Sequence, residues 1–133
     1  MIGLVVVAHG NLGAELLASV QMIIGPVRNA RAVSITPDSS METVRSAIAA
    51  AVDDVSSDQH GVIIATDMFG GTPANVGMTF LEPQRIEVMT GVNLPMLLKF
   101  FNSQENLDLA ELAAILKAYG QQSIALASEY LQR

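Results

Sequence analysis

Ile2-Gly3-Leu4-Val5-Val6-Val7-Ala8-His9-Gly10 is the stretch that decides how this chain folds. The uninterrupted apolar run Ile2–Ala8, bounded by Gly10, reads as a strand buried on both faces, the kind found in parallel sheets. His9 stands where that strand ends and a helix pattern begins, which is where open α/β sheets place their ligands. A lone histidine there also has a plainer reading, a core ring satisfied by one hydrogen bond. A second loop, Asp67-Met68-Phe69-Gly70-Gly71-Thr72-Pro73, also follows an apolar strand and tips the balance toward function.

Working outward, strand and helix patterns alternate along the whole chain. Leu12, Leu16, Leu17, Val20, Ile23 and Ile24 recur at helical spacing until Gly25-Pro26. Ala32–Ile35 reads as a second strand, and Ser39 with Glu42 as the capping box of a helix whose apolar face is Val44, Ile48, Val52 and Val55. Gly61–Thr66 is a third, β-branched strand. Thr72 as N-cap and Pro73 as first helical residue open the next helix. Arg85–Met89 makes strand four, and Asn93 caps a helix carrying Met96, Leu97, Phe100 and Phe101. Leu107–Tyr119 is the last clear helix, ending at Gly120; the tail Gln121–Arg133 reads either as an antiparallel edge strand over Ser123–Ala127 or as helix. The expected fold is a single α/β domain over residues 1–133, a mainly parallel sheet in the order 2-1-3-4 with helices on both faces. In that order strands one and three are neighbours, and His9 and Asp67 face one crevice at their C-terminal ends.

Composition narrows the function. The chain has 133 residues, 50% of them hydrophobic and only 15% charged, enough for one core and little disorder. Seven basic against 13 acidic residues give a net charge of −6, without any Lys/Arg cluster. Nucleic acid and anionic membrane surfaces are therefore poor partners. Without cysteine there are no disulfides, thiolate zinc sites or cysteine nucleophiles. No apolar stretch is long enough to span a membrane, so the chain reads as a soluble cytoplasmic protein with no membrane insertion.

The chemistry that fits a His–Asp pair beside a Gly-Gly turn is phosphoryl handling. Neutral imidazole, with a reference pKa of about 6.5, keeps a lone pair that attacks phosphorus. A carboxylate that accepts from one ring N–H fixes the tautomer and leaves the other nitrogen nucleophilic. Asp67 fills that orienting role, or else serves as an Asx-type loop cap. Gly70 and Gly71 present backbone N–H groups as a nest for anionic oxygens, Thr72 offers its hydroxyl, and the helix after Thr72 its positive end. Gly70-Gly71-Thr72-Pro73 also makes an ordinary strand-to-helix turn. Gly10 and the helix after it provide donors near His9, while Gly91-Val92-Asn93 forms the outer wall. Met68 and Phe69 are apolar loop residues that either contact a partner or pack beneath their neighbours. Met96 reads as core, the Asp58-Gln59-His60-Gly61 turn as solvated, and Asp53-Asp54 as an exposed helix end with no metal role.

Val-Val-Val-Ala-His-Gly at 5–10, Thr-Asp-Met-Phe-Gly-Gly-Thr-Pro-Ala-Asn at 66–75 and Gly-Val-Asn-Leu-Pro-Met at 91–96 closely resemble the IIA domain of the mannose-type sugar phosphotransferase system. The resemblance covers nearly the whole chain, with the three motifs in the right order. It implies that His9 is phosphorylated at its distal ring nitrogen by the phosphocarrier protein and passes the group to a IIB component. It also implies that Asp67 hydrogen-bonds His9, that Thr72 lies beside it, that no cofactor or metal is required, and that the protein is a homodimer. Partner docking falls on Met68, Phe69 and Asn93. Family members more often carry Ser at the position of Thr72, and some carry Trp at that of Phe69. The phosphocarrier domain of dihydroxyacetone kinase shares the fold and the active histidine and is the nearest alternative. A flavodoxin-like nucleotide or flavin module would need a fingerprint that the Gly-rich loop lacks. A histidine phosphatase would need an Arg before His9, where Ala8 stands.

Overall fold

Strand β1 (Gly3–His9) is fully buried up to its last residue, and it becomes an inner strand for that reason. In the computed structural model, which describes residues 1–56 and 59–131, β1 pairs in parallel with β2 (Ala30–Ile35) on one side and β3 (Val62–Thr66) on the other. Strand β4 (Ile86–Thr90) pairs with β3, giving the all-parallel order β2-β1-β3-β4 expected from the sequence. A parallel inner strand buries both faces. Alternate residues of β1 accordingly feed separate cores. Leu4 and Val6 join Ile63, Leu97, Phe100 and Leu112 on one face. Val5 and Val7 join Val33, Ile48, Ile64 and Val76 on the other.

Helices α1 (Leu12–Ile24), α4 (Leu94–Asn102) and α5 (Leu109–Gln122) cover the first face; α2 (Met41–Val55) and α3 (Thr72–Met78) cover the second. The crossovers leaving β1 and reaching β3 thus lie on opposite sides of the sheet, which opens a crevice at the C-terminal ends of the two strands.

Several local expectations need correction. The cap of α2 is Ser40, which accepts from the Thr43 N–H at 3.1 Å, while Ser39 accepts from Thr36 N–H and closes the preceding turn. Gly71, not Thr72, is the N-cap residue of α3, so Thr72 lies in the first turn and Pro73 follows it. Helix α5 begins at Leu109 under a capping box of Asp108 and Glu111, and it runs through Gly120 to Gln122. Gly120 is small because α5 presses on α4 there: an added Cβ would lie 3.0 Å from Met96 Cε. Among the described residues the tail adds no fifth strand. Residues 124–126 are irregular and α6 (Ala127–Tyr130) is a single short turn of helix. Ile124 and Leu126 find no cover in their own chain and stay 80% and 62% exposed. Gln132, Arg133 and the Asp58 of the turn before β3 lie outside the described residues.

Candidate functional site

The site is built where β1 outlasts β3. Val7 is the last β1 residue paired with β3, opposite Thr66, whereas His9 still pairs with Ile35 of β2. On the β3 side the His9 N–H therefore has no ladder partner. The Asp67 carboxylate supplies one, its Oδ2 accepting the His9 N–H at 3.0 Å. The same oxygen lies 2.8 Å from His9 Nδ1. Two N–H groups of one residue thus converge on one carboxylate oxygen. This pins the imidazole over its own backbone, with the proton on Nδ1 and the lone pair on Nε2.

Burial is unequal across the pair: the His9 side chain is 51% exposed and that of Asp67 only 11%. Burial by itself would raise the Asp67 pKa. The backbone and ring hydrogen bonds from His9, with the charge of the imidazolium form, outweigh it and hold the carboxyl below the usual aspartate range. Asp67 stays ionised, an acceptor only. Its second oxygen, Oδ1, is buried without a hydrogen-bond partner among the described residues.

Gly71 stands against the Cε1–Nε2 side of the ring. A Cβ added there would be 3.2 Å from His9 Cε1 and 3.7 Å from Nε2, so any side chain would crowd that side of the imidazole. Gly10 is required for a different reason. Nothing lies within 4 Å of a Cβ added at residue 10, but its φ of +58° is left-handed. Gly70 also has a positive φ, +91°. Thr72, in the first turn of α3, is half-buried.

Met68 and Phe69 are 53% and 72% exposed on the loop beside the ring, which answers the alternative that they pack beneath it. Asn93 lies on the outer wall, and its amide is engaged within the fold. Oδ1 accepts from Met96 N–H at 3.0 Å and Nδ2 donates to the Gly120 carbonyl at 3.1 Å. The wall is joined to the site through Val92 N–H, which donates to the Thr66 carbonyl at 3.0 Å. Met96 is buried, and His60 is exposed at the opposite end of β3. Among the described residues no three His, Asp or Glu side chains form a group able to hold a metal ion.

Sequence reading missed two contributors. The buried Thr66 hydroxyl reaches the Met68 carbonyl at 3.4 Å, and the Ser34 hydroxyl bonds the Gly10 carbonyl. The alternation of β2 signals only that Ser34 shares a face with Ala32; nothing local points to Gly10.

Comparisons with known proteins show what the chain as a whole is similar to. Residues 3–117 match the family model EIIA-man, described as the PTS system fructose IIA component. The chain is 36% identical over 134 residues to the fructose-specific EIIA component of the phosphotransferase system of Bacillus subtilis (strain 168), covering 100% of this chain and 91% of that one. A mannose/sorbose-specific IIA subunit from Enterococcus faecalis superposes with a TM-score of 0.80 at 31% identity, covering 94% of this chain and 93% of the other. An EIIA component from Streptococcus agalactiae superposes at 0.87 with 27% identity, over 97% and 99% of the two chains.

Proposed function

The chain belongs to the EIIA-man family of phosphotransferase-system IIA components, and from that premise we propose that His9 is the residue that carries the phosphoryl group. The protein is a phosphotransferase of the sugar phosphotransferase relay. The observation that supports His9 is the double hydrogen bond to Asp67 Oδ2, which leaves Nε2 as the free, half-exposed nucleophile.

In the proposed step the Nε2 lone pair attacks the phosphorus of a phosphohistidine on the donor phosphocarrier. A P–Nε2 bond forms, the donor P–N bond breaks in line, and the donor imidazole leaves with the electron pair. The Nδ1 proton stays in place. Asp67 stabilises the positive charge that grows on the ring, an effect strengthened by the carboxylate's limited exposure. The backbone N–H groups of Gly70 and Gly71 and the Thr72 hydroxyl face the phosphoryl oxygens; the Gly10 N–H, expected from the sequence to join them, is instead engaged by the Ile35 carbonyl at 2.8 Å. The work is positioning and charge stabilisation, so no cofactor or metal takes part. The reverse geometry delivers the group to a IIB component.

Met68 and Phe69 are the apolar contacts on which donor and acceptor dock in turn, with Asn93 holding the rim. No helix among the described residues is long and apolar enough to cross a membrane; the relay role itself is what places the protein in the cytoplasm in this reading. The homodimer is supported by the open outer edge of β4. A groove of about 640 Å³ lies there, lined by Glu87, Met89, Lys117, Gln121 and Ile124, next to the exposed tail. Glu82 engages both polar groups of Ile86 and the Glu87 carboxylate takes the Val88 N–H, so what this edge offers for pairing with another chain is the stretch beyond Val88. Sedimentation at micromolar concentration should give the mass of two chains, and a monomer would exclude the dimer.

Incubation with phosphoenolpyruvate, the first enzyme of the system and the phosphocarrier tests the central role. Acid-labile, base-stable label should appear stoichiometrically on the wild type and be absent from His9→Ala. Label persisting in His9→Ala would remove His9 from the mechanism.

A further inference from the structure

We propose that Ser34 is a positioning residue for phosphoryl transfer, clamping the carbonyl of the glycine that follows the histidine; the proposal rests on His9 being the phosphoryl carrier. Ser34 lies on β2 opposite Ala8, one residue before the Ile35 that pairs with His9. Its hydroxyl donates to the Gly10 carbonyl. The Gly10 N–H donates to the Ile35 carbonyl at 2.8 Å. Both polar groups of residue 10 are therefore tied to β2.

These two bonds matter because little else holds residue 10. No heavy atom lies within 4 Å of where its Cβ would be, and its φ is +58°. An unpacked glycine has the widest rotational range of any residue. Asp67 grips His9 from the β3 side through the backbone N–H and the ring. Ser34 and Ile35 grip the next residue from the β2 side. The histidine backbone is thus held between two anchors, and the direction of Nε2 depends on both. Releasing the Gly10 carbonyl leaves the Ile35 bond alone on the β2 side and frees the Gly10–Asn11 peptide to rotate, which loosens the glycine that sets the direction of His9.

Ser34 is exposed on an edge strand, so its replacement leaves both cores intact. The test is single-turnover transfer from phosphorylated carrier protein to wild type, Ser34→Ala and Ser34→Thr over a range of carrier concentrations. Ser34→Ala should lower the limiting rate about fivefold to tenfold, the scale of one lost hydrogen bond, with unchanged half-saturation. Ser34→Thr keeps the hydroxyl on a strand-favouring side chain and should stay within about twofold of wild type. Amide exchange at Gly10 should accelerate in Ser34→Ala and not in Ser34→Thr. A wild-type limiting rate in Ser34→Ala would overturn the assignment. So would equal loss in both variants, or a loss confined to half-saturation, which would make Ser34 a carrier contact. Wild type that takes no phosphate on His9 would instead overturn the functional reading beneath it.

Discussion

Replacing Asp67 with Asn removes one charge and almost no volume, and the structure sets how much that should cost. Oδ2 accepts the His9 backbone N–H at 3.0 Å and sits 2.8 Å from Nδ1. An amide oxygen in the same place accepts both groups but without charge assistance. Hydrogen bonds to ionised groups contribute about 1.5–3 kcal/mol against about 0.5–1.5 for neutral ones, a difference of about 1–1.5 kcal/mol per bond. Only the ring bond strengthens as positive charge grows on the imidazole, so transfer should slow about tenfold. A much larger loss would follow if the amide turned its NH₂ toward Nδ1 and inverted the tautomer. The backbone N–H opposes that turn, because it would then face another donor at 3.0 Å. Single-turnover transfer from labelled phosphocarrier measures the effect, and Asp67→Ala, which loses the bond outright, should be slower still. An unchanged rate in Asp67→Asn would show that the carboxylate charge has no part in the step. A loss beyond about a thousandfold would show that the backbone does not lock the orientation.

Two glycine replacements should separate space from conformation. Gly71→Ala puts a methyl 3.7 Å from Nε2 and should cut transfer about a hundredfold while unfolding near the wild-type midpoint. Gly10→Ala meets no neighbour but must hold φ at +58°, so calorimetry should find it destabilised by about 1–2 kcal/mol; the opposite ranking would contradict both assignments. Asn93→Ala breaks the bonds to Met96 and Gly120 that fix the outer wall, and urea unfolding should register a loss of about 1–3 kcal/mol. An unchanged midpoint would assign Asn93 to docking alone. Acid should weaken the His9–Asp67 link in a definite direction. The Asp67 pKa is lower in the folded than in the unfolded chain, so its stabilisation is complete above the unfolded value, about 3.9, and fades as pH falls through the folded one. The stability gap between wild type and Asp67→Asn should stay open from neutral pH down to about 5 and close as pH falls further through the carboxylate range; a gap present only at acid pH would contradict this sign.

The sheet was legible because each inner strand carries its own signal. A run such as Leu4–Ala8 can be buried only with cover on both faces, and the helices between strands then leave a single economical order. The pair His9 and Asp67 was legible for the same reason, since both stand at the ends of neighbouring strands. Contacts that depend on which of two equivalent groups takes a partner were not. Ser39 and Ser40 are chemically alike, and only the turn at Thr36 decides that Ser39 closes it and Ser40 caps the helix. Gly120 reads locally as a stop, yet it is an interior helical residue chosen for its closeness to Met96. Asp108-x-x-Glu111 was a readable capping box, hidden by the apolar Leu107 before it. The bond between Ser34 and Gly10 joins residues 24 apart and leaves no local trace. The tail stayed open between strand and helix because alternation of side chains specifies a strand only when an edge is within reach; the structure has helix at Gln121–Gln122 and Ala127–Tyr130 and leaves Ile124 and Leu126 in solvent.

Phosphoryl transfer through His9 depends most on which imidazole nitrogen is free, and ring-nitrogen NMR of His9 before and after phosphorylation reads that directly. A protonated Nδ1, an unprotonated Nε2 and a phosphorus coupling that appears only on Nε2 are the expected result. Phosphorus on Nδ1, the nitrogen bonded to Asp67, would contradict the account at its foundation.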